Sequence, residues 1–202
     1  RSPEGVKRQQ DLPTAPDGPA WHSCALFISD NVGTQIDGLG HVTRGADNHW
    51  YNGFTESRWG GDWGVRKCGA ETIPPIVARG VLIDVAALKG VDALASQYAI
   101  GVADLESALE RQQVKLQPGD VVLIRTGAGR YWGQTGSDHA KIAEHDSAGL
   151  TLTGARWLVE QHGAMMIGAD TSGLEAPPQP GDKTGLSVHQ YLLIEQGIHI
   201  GE

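Results

Sequence analysis

The stretch PGDVVLIRTG, residues 118–127, decides how the rest of the chain is interpreted. It opens with a Pro-Gly turn signal and continues as a nearly uninterrupted apolar run, which is typical of a buried strand. Before it, VADLESALERQ at residues 102–112 places its apolar side chains on one face at helical spacing. RGVLIDVA at residues 79–86 is another apolar run of strand length. These three segments together predict a strand, helix, strand unit.

The same alternation continues to the end of the chain. TGARWLVEQHG at residues 153–163 predicts a helix that starts with a threonine and ends at a glycine, and AMMIGAD at residues 164–170 predicts a buried strand. SVHQYLLIEQG at residues 187–197 predicts a last helix, with its serine as the N-cap and its final glycine as the stop. IHIGE at residues 198–202 predicts a short closing strand.

The beginning of the chain follows a different pattern. Residues 1–20 carry four prolines and many polar groups, which predicts an extended arm. CALFIS at residues 24–29 and VGTQID at residues 32–37 have the composition of strands and no helix between them. We therefore expect one α/β domain over residues 21–202, with a mixed central sheet covered by helices.

Composition narrows the possible partners. The chain has 202 residues, 40% of them hydrophobic, which is enough for one well-packed domain. Its 24 acidic and 16 basic side chains give a formal charge of −8 with no basic stripe, so we expect a small-molecule partner and neither nucleic acid nor a membrane. Two cysteines make no disulfide framework, and no apolar run reaches membrane-spanning length. We expect a cytoplasmic protein.

The segment NVGTQIDGLGH, residues 31–41, does not have the composition of a packing strand. If it is extended, the side chains of Asn31, Gln35 and Asp37 point to one face, because side chains alternate along a strand. Oxygen and imidazole donors converging on one point are what a divalent cation needs, and the neighbouring glycines leave room for it. Alternatively, Asp37 caps a turn and His41 is an ordinary histidine, and this segment alone favours that alternative.

Two further candidates lie at the other end of the chain. His189 falls near the start of the last predicted helix, and Glu202 follows the closing strand. Taken singly, His189 is better explained as a histidine on a helix surface and Glu202 as a solvated carboxylate. Residue type alone does not connect either of them to Asp37.

The segment 31–41 resembles the signature of the cyclase family of metal-dependent hydrolases, which includes bacterial kynurenine formamidase and isatin hydrolase. That signature reads His-x-Gly-Thr-His-x-Asp-x-Pro-x-His. The spacing is kept here, but Asn31 and Gln35 stand in place of the first two histidines and Leu39 in place of the proline. The resemblance extends over most of residues 33–202, through the strand and helix segments described above. The amide-bearing variant also resembles the zinc-dependent trans-dienelactone hydrolase branch.

The resemblance implies a swivelling β/β/α-like fold and a set of site residues. Gln35, Asp37, His189 and Glu202 would form the metal site, with Asp37 as a ligand, Gln35 as a weak ligand or an orienting group, and His189 and Glu202 as ligands or as groups that hold water and substrate beside the ion. His41 and His189 would be the catalytic residues, with His41 as general acid and base. Because neutral amides are weaker ligands than imidazole, we expect one divalent ion, Zn or Mn. Such an ion lowers the pKa of its bound water to about 7. The resemblance also implies a homo-oligomer, a dimer or a tetramer.

The substrate site is predicted from aromatic residues. Residues 43–75 form a long segment rich in Gly, Trp and charge, and structureless segments of this length are usually functional or mobile. Asn31, Trp50, Tyr51 and Trp132 are the candidate substrate contacts. Alternatively, the aromatic side chains only pin a long loop to the protein, and both interpretations stay open.

The expected reaction is metal-dependent hydrolysis of a lactone, a cyclic amide or a formamide. No Gly-x-Ser-x-Gly elbow is present, which argues against covalent catalysis by serine. A non-catalytic small-molecule binder on the same fold is one alternative and predicts no stoichiometric metal. A metal-dependent oxygenase using His41, His189 and Asp37 is another, and it predicts iron.

Overall fold

A computed structural model of the protein describes residues 33–61, 64–133, 136–142, 147–178 and 185–202. The predicted arm at residues 1–20, the predicted strand at residues 24–29 and Asn31 lie outside the described residues. Residues 34–202 form one compact unit. A domain start at residue 21 therefore stays a prediction.

In the described part of the chain the main sheet contains five strands, and two more strands pair separately. In chain order the strands are β1 Ile36–Asp37, β2 Gly80–Asp84, β3 Ala99–Ile100, β4 Val121–Arg125, β5 Gly149–Leu150, β6 Met166–Ala169 and β7 His199–Gly201. The main sheet has the order β1-β7-β6-β4-β2, while β3 and β5 form a small parallel pair. Among the strands of the main sheet that the structure describes, only β1 runs antiparallel to its neighbour, so the predicted mixed sheet is confirmed.

Helices connect and flank these strands. They are α1 Glu56–Trp59, α2 Val85–Lys89, α3 Val102–Gln112, α4 His139–Ile142, α5 Leu152–Arg156 and α6 Ser187–His189. The last two continue as π-helical segments, Trp157–Gln161 and Gln190–Gln196, and short 3-10 turns occur at Tyr51–Gly53, Ala70–Thr72 and Ala128–Tyr131. The predicted helix at residues 102–112 is confirmed. None of the helices in the described part of the chain is long and apolar enough to cross a membrane.

Element boundaries differ from the sequence prediction at three places. The apolar run at residues 79–86 is strand only as far as Asp84, whose carboxylate accepts the Ala87 N–H at 2.8 Å and so caps α2. Helix α5 begins after Thr151, which accepts from Gly154 N at 3.1 Å. The predicted N-cap Ser187 is instead the first residue of α6. The stop at Gly197 is confirmed, because this glycine takes the left-handed conformation at φ +67°.

The strands bury one face of the sheet more completely than the other. In β2 and β4, Ile83 and Ile124 pair in register and are at most 2% exposed. Leu82 and Leu123 pair on the opposite face and are 49% and 42% exposed. The covered face packs against the apolar sides of the helices and also includes Ile200 of β7, which is fully buried. Residues that share a face with Ile200 therefore point into the interior.

Candidate metal centre

Strands β1 and β7 bring the two ends of the described chain together. Asp37 is paired with Ile200, and the backbones of Gln35 and Glu202 exchange hydrogen bonds of 2.9 and 3.2 Å. Directly opposed residues of an antiparallel pair share a face, and so do residues two apart on one strand. The side chains of Asp37, Gln35 and Glu202 therefore lie on the same side of the sheet as the buried Ile200.

Helix α6 adds the imidazole of His189 to these carboxylates. Its Nε2 lies 3.3 Å from Glu202 Oε1 and 3.9 Å from Asp37 Oδ2. The side chains of all three residues are at most 7% exposed, and one ligand atom from each lies within 4.8 Å of the others. The structure thus collects three of the four predicted ligands at one buried point.

The fourth predicted ligand, Gln35, has a different orientation. Its side-chain Nε2 donates to Glu202 Oε2 at 3.2 Å and to Asp37 Oδ1 at 3.5 Å. An ionised carboxylate only accepts hydrogen bonds, so the NH₂ end of the amide faces both ligands. In this orientation Gln35 holds the two carboxylates in place rather than offering its oxygen to an ion.

His41 lies at the edge of the cluster. Its Nε2 is 3.9 Å from Asp37 Oδ1, and 41% of its side-chain surface is exposed. An imidazole that borders both the buried carboxylates and solvent can exchange protons with either side. The position fits a proton-transfer group better than a buried ligand.

The sequence prediction missed Glu175, which contacts the other ring nitrogen of His189. Its Oε2 lies 2.8 Å from His189 Nδ1. Glu175 follows β6, and β6 and β7 are parallel neighbours whose carboxyl ends lie at the same edge of the sheet. In open α/β sheets, ligands bind at the edge formed by the carboxyl ends of the strands. A carboxylate in the loop after β6 was therefore a signal in the sequence for a residue of the site.

The predicted substrate contacts are not brought to the cluster as a group. The Trp50 ring is fully buried, and its Nε1 donates to the Lys67 carbonyl at 3.1 Å. Trp50 therefore pins the loop to the interior, and its predicted contact with a substrate stays a prediction. Tyr51 packs against Gly197 at the end of the last helix, and Trp132 is 57% exposed. Substrate roles for these two residues stay predictions.

The electrostatics of the cluster favour a cation. Burial acts to lower the pKa of His189, but hydrogen bonds and charges from Glu175 and Glu202 outweigh burial and raise this pKa to about 9. With Asp37 included, three carboxylates surround one imidazole, so formal negative charge exceeds positive charge even when the ring is protonated. Buried charge of one sign is costly unless it is compensated, and a bound divalent ion compensates it.

The ligand spacing also fits such an ion. Zn²⁺ binds nitrogen and oxygen ligands at about 2.0–2.2 Å, which places adjacent atoms of a tetrahedral set about 3.4 Å apart. The separations of 3.3 and 3.9 Å from His189 Nε2 are close to this value. Two carboxylates and an imidazole suit Zn²⁺ and Mn²⁺ alike.

Together, the mixed α/β sheet and the buried carboxylate and imidazole cluster define an α/β domain with a candidate metal centre. The cyclase family model matches residues 10–176, and the chain belongs to this family. The matched region includes Asp37 and Glu175 and ends before His189 and Glu202, which the structure places beside them. No curated protein matches the chain.

Solved structures show the same fold. A crystal structure described as a novel cyclase is 30% identical, with a TM-score of 0.74, and the match covers 96% of this chain and 61% of that one. An isatin hydrolase bound to the product analogue thioisatinate is 18% identical, with a TM-score of 0.57 and coverage of 93% and 64%. Isatin hydrolase A from Ralstonia solanacearum is 18% identical, with a TM-score of 0.54 and coverage of 87% and 72%. The present chain thus spans less than two thirds of the first two.

Proposed function

We propose that the protein is a metal-dependent hydrolase that opens a lactone, a cyclic amide or a formamide. The observation that carries the proposal is the convergence of Asp37, His189 and Glu202 at one buried point. Membership of the cyclase family supports it, and so does the similarity in fold to the isatin hydrolases. Asp37 and Glu202 would each give one carboxylate oxygen to the ion, and His189 would give Nε2.

A divalent ion held there supplies Lewis acidity, which activates water and polarises a carbonyl group. The protein's own contribution begins with the orientation of the ligands. Gln35 donates to both carboxylates from the side, at 3.2 and 3.5 Å, and so leaves Glu202 Oε1 and Asp37 Oδ2 turned toward His189. Ligands fixed in this way need little rearrangement when an ion binds.

His41 is the group placed to move protons. It borders the carboxylate cluster and remains 41% exposed, so it can accept a proton from water and return one to the leaving nitrogen or oxygen. General acid and base catalysis of this kind contributes typically about 10²–10⁴ in rate. The leaving atom differs between lactones and amides, but the same proton transfer serves both.

A substrate panel with metal control tests the proposal. Lactones, cyclic amides and formamides are assayed with added Zn²⁺ or Mn²⁺ and again with a chelator. We expect hydrolysis that the chelator removes and that Asp37→Ala abolishes. Asp47→Ala is the matched control, because Asp47 is an exposed carboxylate that pairs with His49 instead. A non-catalytic binder would show no stoichiometric metal and no turnover, whereas an oxygenase would contain iron and consume oxygen.

The small-molecule partner and the assembly state extend this proposal. We propose a dimer or a tetramer, in keeping with the expectation from the family resemblance, and sedimentation analysis of the purified chain measures it. A cytoplasmic location is likewise proposed from composition, and cell fractionation tests it.

A further inference from the structure

We propose that Glu175 is the positioning residue of this metal centre: it fixes the ring of His189 so that Nε2 faces Asp37 and Glu202. The inference rests on the metal centre of the proposed function, and it adds a residue outside the ligand set. A positioning residue acts through another residue. Its effect should therefore appear in metal affinity and in the state of the His189 ring.

Four hydrogen-bonding groups converge on the Glu175 carboxylate. Oε1 accepts from Val188 N at 2.9 Å and from Ser187 Oγ at 3.1 Å. Oε2 accepts from His189 N at 3.1 Å and lies 2.8 Å from His189 Nδ1. Because an ionised carboxylate only accepts, His189 Nδ1 must carry a proton in this contact. The ring nitrogen left to bind an ion is Nε2, which is the nitrogen nearest Glu202 and Asp37.

The same carboxylate caps the helix that carries His189. The backbone N–H groups at the start of a helix have no partner within the helix, and Glu175 takes two of them, from Val188 and His189. A negative charge at this helix end is also favourable. Glu175 therefore sets the place where α6 begins as well as the orientation of the ring, and both determine where Nε2 lies.

The backbone around Glu175 is itself held in place. Leu150 of β5 donates to the Leu174 carbonyl at 2.8 Å and accepts from Ala176 N at 2.9 Å. Leu174 N in turn donates to Glu202 Oε1 at 3.1 Å. Residues 174–176 thus hold two of the three ligands, Glu202 through a backbone N–H and His189 through a carboxylate. We call residues 174–176 the positioning segment.

Three single variants separate the effect of Glu175 on the orientation of the His189 ring from the effect of its charge and from its capping of α6. Glu175→Gln keeps the size of the side chain but offers one accepting oxygen to four donors. Glu175→Asp keeps the charge but is shorter by one methylene, so it no longer reaches the ring. Ser187→Ala is the matched control, because it removes one contact to Oε1 and leaves the contact between Oε2 and His189 Nδ1 intact.

Zn²⁺ affinity is measured for each metal-free protein by competition with a chelator, under conditions where urea unfolding curves show that each variant is folded. Loss of an outer carboxylate partner typically weakens metal binding about 10–100-fold. We expect a loss in this range for Glu175→Gln and for Glu175→Asp, and an affinity within about threefold of wild type for Ser187→Ala. Wild-type affinity in either Glu175 variant, or an equal loss in Ser187→Ala, would overturn the proposal.

A second readout does not depend on metal. In ¹⁵N-edited spectra of metal-free protein, we expect a downfield, hydrogen-bonded Nδ1 proton from His189 in wild type and in Ser187→Ala. We expect Glu175→Asp, which no longer reaches the ring, to lose that signal, and its retention there would refute the contact. If wild type binds no Zn²⁺, the proposed function fails while the spectra still decide the role of Glu175. If wild type binds Zn²⁺ and all variants bind it equally, only the positioning role fails.

Discussion

Gly149 offers a remote way to disturb the metal centre. It lies in β5, beside the positioning segment, and is not one of the three candidate ligands. A Cβ built on Gly149 would lie 2.4 Å from the carbonyl carbon and oxygen of Glu175 and 2.6 Å from Ala176 N. The Gly149→Ala substitution should therefore displace Glu175 through its backbone.

The size of the displacement follows from these distances. Carbon atoms in ordinary contact lie about 3.5–4.0 Å apart, so the Glu175 backbone must move by roughly 1 Å or β5 must shift away from it. Forcing one extra carbon into a packed site typically costs about 1–3 kcal/mol. A shift of this size would also lengthen the 2.8 Å contact between Glu175 and His189 and the 3.1 Å hydrogen bond from Leu174 N to Glu202. We expect a loss of Zn²⁺ affinity of about 10-fold or more.

The assay pairs urea unfolding of metal-free protein with Zn²⁺ competition titration. Gly80→Ala is the matched control, because Gly80 also lies in a strand and a Cβ there meets no atom of the described residues within 4 Å. We expect Gly80→Ala to keep its Zn²⁺ affinity and to change stability by no more than about 1 kcal/mol. The reasoning is refuted if Gly149→Ala lowers the free energy of unfolding but binds Zn²⁺ as tightly as wild type.

Three further predictions concern separate parts of the molecule. His41→Ala should lower kcat about 10²–10⁴-fold while metal content stays unchanged, and near-native turnover with lost metal would make His41 a ligand. Trp50→Ala should lower the free energy of unfolding in urea by about 3–5 kcal/mol because the ring is fully buried, whereas a change under 1 kcal/mol would contradict that burial. The hydrogen bond from Arg79 lowers the pKa of Asp120 in the folded protein. The Asp120 carboxylate therefore stabilises the fold fully at pH values above its unfolded-state pKa, and this stabilisation is lost as the pH falls through its folded-state pKa. The difference in free energy of unfolding between wild type and Asp120→Asn should therefore shrink from pH 7 to pH 3 in urea titrations. A constant difference would contradict this role of the Asp120 carboxylate.

The local elements were predictable from sequence because their signals are local. Helix α3 follows from apolar spacing, and the end of the last helix follows from Gly197, which takes a conformation that other residues rarely adopt. The boundary at Asp84 was not predictable from hydrophobicity, because Val85 and Ala86 continue the apolar run although they are already helical. There the capping carboxylate ends the strand.

The metal centre was predictable only in part. Gln35 and Glu202 are 167 positions apart, and no property of either residue reveals that their strands pair. His189 and Glu202 were therefore connected to Asp37 by family resemblance alone. Glu175 escaped prediction because its role depends on a loop that returns beside β5. Trp50 was predicted to contact substrate because tryptophan suits both pockets and cores, and its full burial is visible only in the fold.

Metal content is the most direct test of the central claim that Asp37, His189 and Glu202 hold a divalent ion. The purified chain is loaded with Zn²⁺ or Mn²⁺, dialysed and analysed by mass spectrometry, beside Asp37→Ala and the exposed-carboxylate control Asp47→Ala. We predict one ion per chain in wild type and in Asp47→Ala, and none in Asp37→Ala. A wild-type chain that retains no ion, or an Asp37→Ala chain that retains a full one, would contradict the claim.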